Sequence, residues 1–297
     1  MRLALLIVFS FLISPAAFAQ LPVYTVPNTE IFELRSEAID QTYEIRVALP
    51  DSYGMDDREY PLLILLDADY SFAIARNVTQ HLAQRNQLPE MIVVAIAYPS
   101  AEGNTEHYRM TRSRDYTPVY NADGGYGGRF QVNSGGGPAF LDFIGDELIP
   151  ELERRYPLHP RDRTLSGHSY GGLFTTWAMF ARPELFARYV IISASYWYGP
   201  GFIYDYENAF SEGHERLDAV AFITVGLWEN QPQNGRAMVD EMHQLVDQIR
   251  SHDYEGLSLD PYVFGEETHA SIWPAGFSRG MRSVFNEPLP GENVEGE

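Results

Sequence analysis

The sequence predicts an α/β fold: a mostly parallel central sheet, antiparallel strands at its N-terminal side, and helices on both faces. Three observations carry this. Residues 61–67, 91–97, 189–193 and 219–226 are mainly apolar without regular alternation, as expected of strands buried on both faces of a parallel sheet. Helix-like stretches separate most of these runs, and strand–helix–strand order favours parallel pairing. Two earlier stretches alternate apolar and polar residues, the period of strands with one solvated face.

The alternating strands fall at 31–34 and 43–49, with a turn at Asp40-Gln41 and turn chemistry at 50–54. Pro61 and Asp67 bound the first buried strand. A helix is expected over 72–87 and a second buried strand over 91–97. Residues 98–137 break this rhythm. They are rich in Gly, Asn, Ser, Tyr and Arg, with little apolar periodicity. A loop this long in a compact domain is usually functional or disordered. The stretch is therefore expected to be irregular, acting as a lid hinged at its glycines or as a flexible excursion. Helix resumes over 138–156, where Phe140, Phe143, Ile144, Leu148 and Leu152 recur at helical spacing; a kink is expected at Pro150.

A strand starting at Thr164-Leu165 leads to a helix over 173–181. The strand 189–193 ends at an aromatic cluster, Ser195-Tyr196-Trp197-Tyr198. The strand 219–226 runs into Leu227-Trp228-Glu229-Asn230. An amphipathic helix follows over 236–251. The last strand, 257–264, carries Pro261, which cannot donate to a ladder and so suggests a sheet edge. A final helix runs to about Phe285. The tail from Glu287, rich in Pro, Gly and Glu, is expected to be loose.

The chain has 297 residues and 45% hydrophobic content, enough for one large α/β domain. No repeat or linker divides it, so 20–286 is read as one domain and 287–297 as an acidic tail. The formal net charge of -20 argues against a nucleic-acid partner, which needs a basic face. All 21 basic residues are Arg; genomic base composition or a salty habitat accounts for that. There is no Cys, which excludes disulfides, a thiol nucleophile and thiolate zinc sites. Arg2, the apolar run 3–13 and the end Ala17-Phe18-Ala19 read as a secretory signal peptide over 1–19, cleaved after Ala19. The run is short for a membrane span, so an exported protein, periplasmic or secreted, with no stable membrane anchor is expected.

The chemistry centres on Leu165-Ser166-Gly167-His168-Ser169-Tyr170-Gly171-Gly172-Leu173. A G-x-S-x-G pentapeptide between a strand and a helix reads as a nucleophile elbow, which exposes Ser169 at the top of the sheet. A serine hydroxyl is a weak nucleophile near neutral pH and needs a base, usually oriented by a carboxylate. The elbow architecture places serine, acid and histidine in that chain order, each beyond a strand's end. Glu229 follows 219–226 and His269 follows 257–264. The expected triad is Ser169, His269 and Glu229.

His81, His107, His159 and His168 precede Ser169; His214, His243 and His252 lie in a loop or on or just after a helix. His168 is expected to point away from Ser169 and pack. Asp240, Asp253, Glu266 and Glu267 are rival acids. Oxyanion donors are expected from the backbone N–H of Tyr170 and from the turn Ala68-Asp69-Tyr70, where Asp69 is the candidate. Asp67 with Asp69 as a metal pair is the minor competing reading; no metal or organic cofactor is expected.

Four matches identify a resemblance: the run 62–67 with Asp69-Tyr70; the segment 111–118, Thr-Arg-Ser-Arg-Asp-Tyr-Thr-Pro; Gly167-His168-Ser169-Tyr170-Gly171-Gly172; and 265–285 with Thr268-His269-Ala270-Ser271 and Ser278-Arg279-Gly280. The chain resembles the esterase family of α/β hydrolases that holds S-formylglutathione hydrolases, feruloyl esterases and esterases that open trilactone siderophores. Its motifs are most similar to the siderophore-esterase-like branch. Many hydrolases of this architecture carry His-Gly where this chain has Asp67-Ala68, a departure at the oxyanion turn.

The resemblance implies an α/β-hydrolase fold and a serine carboxylic ester hydrolase working through an acyl-enzyme on small-molecule acyl or aryl esters. It also implies that Tyr196 and Trp197 wall the pocket, with Tyr70 beside them. Arg112 and Arg114 either meet an anionic substrate or brace the loop through Asp115. The other readings are a siderophore trilactone esterase, an acyltransferase, and a catalytically silent binding module on the same scaffold.

Overall fold

A computed structural model describes residues 24–99, 104–231 and 236–291. The expected signal peptide lies outside them, as does the tail beyond 291. The strands β1 (Thr29–Ser36) and β2 (Gln41–Ala48) form an antiparallel hairpin with Ile31 opposite Arg46. Next come β3 (Tyr60–Leu65), α1 (Ala68–Ala83) and β4 (Ile92–Ala97). Leu63 of β3 lies opposite Val93 in a parallel ladder, and β2 joins β4 antiparallel.

The stretch expected to be irregular contains α2 (Thr105–Asp115) and the short α3 (Gly128–Gln131). That expectation is corrected for a physical reason. The face that α2 buries is Thr111, Arg112, Ser113 and Asp115. Polar residues can line a core when their partners are buried with them, and they leave no apolar periodicity to read.

A continuous helical segment follows: α4 (Gly137–Asp142), a widened turn at Phe143–Leu148, and α5 (Ile149–Arg155). Pro150 has no N–H to give. Just before it, Ile149 N–H bonds Ile144 O in an i→i+5 pattern, and the helix passes through the proline.

Then come β5 (Leu158–His168), α6 (Tyr170–Ala181), β6 (Arg188–Ile192), α7 (Phe202–Ser211) and β7 (Arg216–Gly226). The small antiparallel pair β8 (Asn230–Gln231) and β9 (Arg236–Ala237) precedes α8 (Met238–His252). The strand β10 (Glu255–Phe264) and α9 (Ile272–Asn286) end the described fold. The helix α7 was not anticipated from the sequence.

The main sheet has eight strands in the order β1-β2-β4-β3-β5-β6-β7-β10. From β4 to β10 every neighbouring pair is parallel, so this is a mostly parallel sheet with antiparallel N-terminal strands, as expected. β10 sits at the edge, as Pro261 indicated. Alternate strand residues feed two cores. Leu63, Leu65, Val190, Ile192 and Phe222 pack under α1 and α9, with Phe72, Phe277 and Met281. Leu62, Ile64, Leu165, Ile191 and Ile223 face the side covered by α4 to α8. Fully burying such a side chain is worth roughly 1.5–3 kcal/mol, so both faces need cover. The helix α9 approaches closely because Gly280 has no side chain: a Cβ there would lie 2.6 Å from Val190 and 2.8 Å from Phe222.

The strand order reverses between β3 and β5. After β3 the chain builds β4 on one side; from β5 onward it builds toward β10. In open α/β sheets such a switch point leaves a crevice at the carboxyl ends of the strands, where ligands bind. Asp67 and Ser169 follow the two strands that flank it.

Candidate active site

Ser169 occupies the turn between β5 and α6 at φ 61°, ψ -117°. A non-glycine residue rarely adopts this conformation, and local strain must be over-determined by its surroundings. Here its N–H bonds Ile192 O at 3.0 Å, and its carbonyl accepts from Leu173 N–H at 2.9 Å and Ser195 N–H at 3.1 Å. Gly167 and Gly172 are steric requirements, whereas a Cβ on Gly171, the second glycine of the pentapeptide, would come no closer than 3.3 Å to Asp67 Oδ2. A Cβ on Gly167 would lie 2.2 Å from Gly171 O, and one on Gly172 would lie 2.9 Å from Ile192 O.

His269 stands on the loop between β10 and α9. Its Nδ1 lies 2.5 Å from Glu229 Oε2. Glu229 is buried while the His269 ring is 43% exposed. The other Glu229 oxygen accepts from Gly226 N–H at 2.8 Å and from the Ser193 hydroxyl at 2.7 Å. The carboxylate is thus pinned on one side and meets the imidazole with the other. Ser169 Oγ is 3.3 Å from Ser195 Oγ, while Ser169 and His269 line the same cavity. Hydrogen bonds between nucleophile and base are often loose before substrate binds.

Three of the four rival acids have other partners. Glu267 accepts from the Ser271 hydroxyl, Asp240 faces Asn230, and Asp253 caps α8.

Beneath the elbow, Asp67 and Arg112 form a buried bidentate pair at 2.7 and 2.9 Å. Tyr108 donates to Asp67 at 2.7 Å, and Arg112 donates to His168 O at 2.8 Å. Burial alone would raise the Asp67 carboxyl, but the charge and hydrogen bonds of Arg112 outweigh it and hold the group below its ordinary value. Asp69 turns instead to Arg46, 3.4 Å away. The two aspartates therefore serve different arginines rather than converging as a metal pair.

His168 is buried, as expected, but it does not simply pack away from Ser169: it lines the same cavity, and its two ring nitrogens have partners. Nδ1 lies 3.0 Å from Tyr70 OH and Nε2 lies 2.9 Å from His269 O. Burial first, then the charges of His269 and Arg112, push this imidazole down to about 3.

The cavity measures about 440 Å³ and is lined by Ser169, His269, Tyr70, Tyr108, Tyr126 and Trp197, among others. Its size suits a small-molecule site. A slightly larger concavity of about 490 Å³, between the 48–51 loop and α1, contains none of the triad candidates. Chemistry, not size, selects the first. Of the expected pocket residues, Tyr70, Arg112 and Trp197 line it. Two are corrected. Tyr196 is buried in the core with its hydroxyl 3.0 Å from Thr176 Oγ1, because the chain turns after β6 and directs Tyr196 and Trp197 differently. Arg114 is held by Asp115 at 2.6 Å and donates to Gln41 and Tyr43 at 3.3 Å each, so it follows the alternative reading and braces α2 against β2. Arg112 reaches the cavity with most of its donors already committed.

Sequence reasoning missed Ser193 and Ser195, and Tyr108, Tyr126, Arg236, Met238 and Trp273 in the cavity wall. The two serines were findable by the same rule that found Glu229: they follow the carboxyl end of a strand, β6.

Comparison with known proteins agrees with this architecture. The family model described as "Putative esterase" matches residues 36–225. The chain is 27% identical over 276 residues to the ferri-bacillibactin esterase BesA of Bacillus subtilis, covering 90% of this chain and 93% of that protein. It is 31% identical to the siderophore triacetylfusarinine C esterase of Aspergillus fumigatus, covering 88% of this chain and 94% of the relative. The solved structure of the siderophore hydrolase EstB from Aspergillus nidulans superposes with a TM-score of 0.78 at 26% identity, over 92% of this chain and all of that one. The chain belongs to this esterase family and is an ester hydrolase of the α/β-hydrolase type.

Proposed function

We propose that the chain is an exported serine esterase that works through Ser169, His269 and Glu229 and cleaves the ester bonds of a siderophore. The observation that carries the mechanism is the 2.5 Å contact between His269 Nδ1 and Glu229 Oε2 beside a serine held in a strained elbow. In this reading His269 Nε2 takes the proton of Ser169 as its oxygen attacks the ester carbonyl. The Tyr170 N–H stabilises the developing oxyanion, and the Asp69 N–H serves as second donor. Both stand in the first turn of a helix, where backbone donors lack intrahelical acceptors. His269 then protonates the leaving alcohol, and water repeats the cycle on the acyl-enzyme.

Two observations favour a siderophore over a generic ester. The similar relatives are named as siderophore esterases. The cavity is walled by Tyr108, Tyr126, Trp197 and Trp273, flat rings suited to stacking on flat acyl groups. Arg236, 5.0 Å over the Trp197 ring, adds a cation at the mouth of a chain of net charge -20.

Ser169→Ala is expected to lower kcat on an aryl ester and on a trilactone siderophore by on the order of 10⁴–10⁶-fold. It should also abolish labelling by a fluorophosphonate. Unchanged turnover would sink the mechanism. Turnover of simple esters with no action on any siderophore would leave the triad and refute the substrate.

A further inference from the structure

The residue before the nucleophile has an unusual environment. His168 ends β5, one peptide bond from Ser169, and its ring is buried. Its Nε2 lies 2.9 Å from the carbonyl oxygen of His269. A carbonyl only accepts, so Nε2 carries the proton and donates. Nδ1 faces the Tyr70 hydroxyl 3.0 Å away, whose one proton also has Asp67 Oδ2 as an acceptor at 3.0 Å. The two imidazoles also touch in a tilted arrangement, with centroids 4.6 Å apart and planes at 36°.

His269 needs such an anchor. It sits on a loop, and its ring is 43% exposed. Glu229 fixes the rotation of the ring through Nδ1, but a bond at the ring does not fix the backbone that carries it. Elsewhere the loop is held at Glu267 O by Trp228 N–H at 3.1 Å and at Thr268 O by Ser271 N–H and Ile272 N–H, each at 3.1 Å. At His269 itself, among the described residues, the backbone contact is the donation from His168.

His168 is itself immobilised. Tyr70 makes edge contacts with both His168 and Trp273, each with centroids 6.0 Å apart. The peptide of His168 is bound through its carbonyl by Arg112. One residue therefore ties the strand that presents the nucleophile to the loop that presents the base.

We propose that His168 is a positioning residue for the base: its Nε2–H holds the His269 backbone so that the imidazole meets Ser169. This rests on His269 being the base, and the test separates the two assignments. Misplacing a catalytic group by about 1 Å costs about 10²-fold. Gln places its amide nitrogen where His has Nε2; Asn places its own where His has Nδ1; Leu has no donor.

On an aryl ester, His168→Gln is expected to keep kcat within about 3-fold of wild type. His168→Leu and His168→Asn are expected to lose about 10²-fold in kcat with KM nearly unchanged. Thermal unfolding of each variant reports whether it is folded. If the Leu variant does not fold, the Gln–Asn comparison, polar in both arms, carries the test. Equal kcat for Gln and Asn, or a loss confined to KM, overturns the proposal. His269→Ala is run alongside. If it retains activity, the base assignment itself falls. If it is inactive while His168→Leu matches wild type, only the positioning role falls.

Discussion

At the scale of single residues, Glu229 illustrates how a carboxylate is committed. It accepts three hydrogen bonds, from Ser193, Gly226 and His269. Glu229→Gln preserves shape but offers an amide to a ring nitrogen that must itself donate. The imidazole then turns or changes tautomer. The expected result is a fall in kcat of about 10³–10⁴-fold with KM little altered, measured on an aryl ester. A fall below about tenfold would move the orienting role to another group. Ser193 belongs to the same arrangement. It adopts φ 44° to aim its hydroxyl at Glu229, a cost that makes sense only if that carboxylate must not move.

At the scale of elements, α2 is the part that sequence patterning hides. It lies against the elbow through Arg112, which donates to Asp67, to His168 O and to Tyr126 OH. The cavity wall from Tyr108 to Tyr126 therefore depends on a buried ion pair as well as on the packing of Tyr108 and Tyr126 against the core. Gly125 N–H adds a 2.7 Å bond to Tyr170 OH. Removing one partner of a buried pair leaves the other uncompensated, at about 3–5 kcal/mol. Arg112→Met is expected to destabilise the protein by about that amount in urea unfolding. Because α2 walls the cavity, KM should rise among molecules still folded. A loss below about 1 kcal/mol would show that Asp67 finds other donors.

At the scale of the whole molecule, strand order explains the location of the site. Reversal of direction between β3 and β5 opens the crevice, and the carboxyl ends of β5, β7 and β10 bring Ser169, Glu229 and His269 to one rim. Residues 1–19 are proposed to direct export. Among the described residues no helix is long and apolar enough to cross a membrane. Expression in a Gram-negative host should yield a protein beginning at Gln20 by intact mass. A mature chain that keeps Met1 would refute cleavage.

Much of this was legible in the chain itself. Continuous apolar runs mark strands buried on both faces, and period alone distinguishes the N-terminal hairpin. The elbow is legible because Gly167 and Gly172 answer steric demands made by atoms close by in the fold. The proposed serine, acid and histidine are legible because each follows a strand, so topology alone brings those ends together. Tertiary structure decided the rest. The helix α2 buries charges against charges, and no periodicity announces that. The directions of Tyr196 and Trp197 depend on a turn after β6. Arg112 braces through Asp67 rather than through Asp115 because Asp67, forty-five positions earlier, is buried beside it. Local pattern is written in neighbouring residues; a buried polar partner is chosen across the fold, where burial makes an unpaired charge too costly to leave alone.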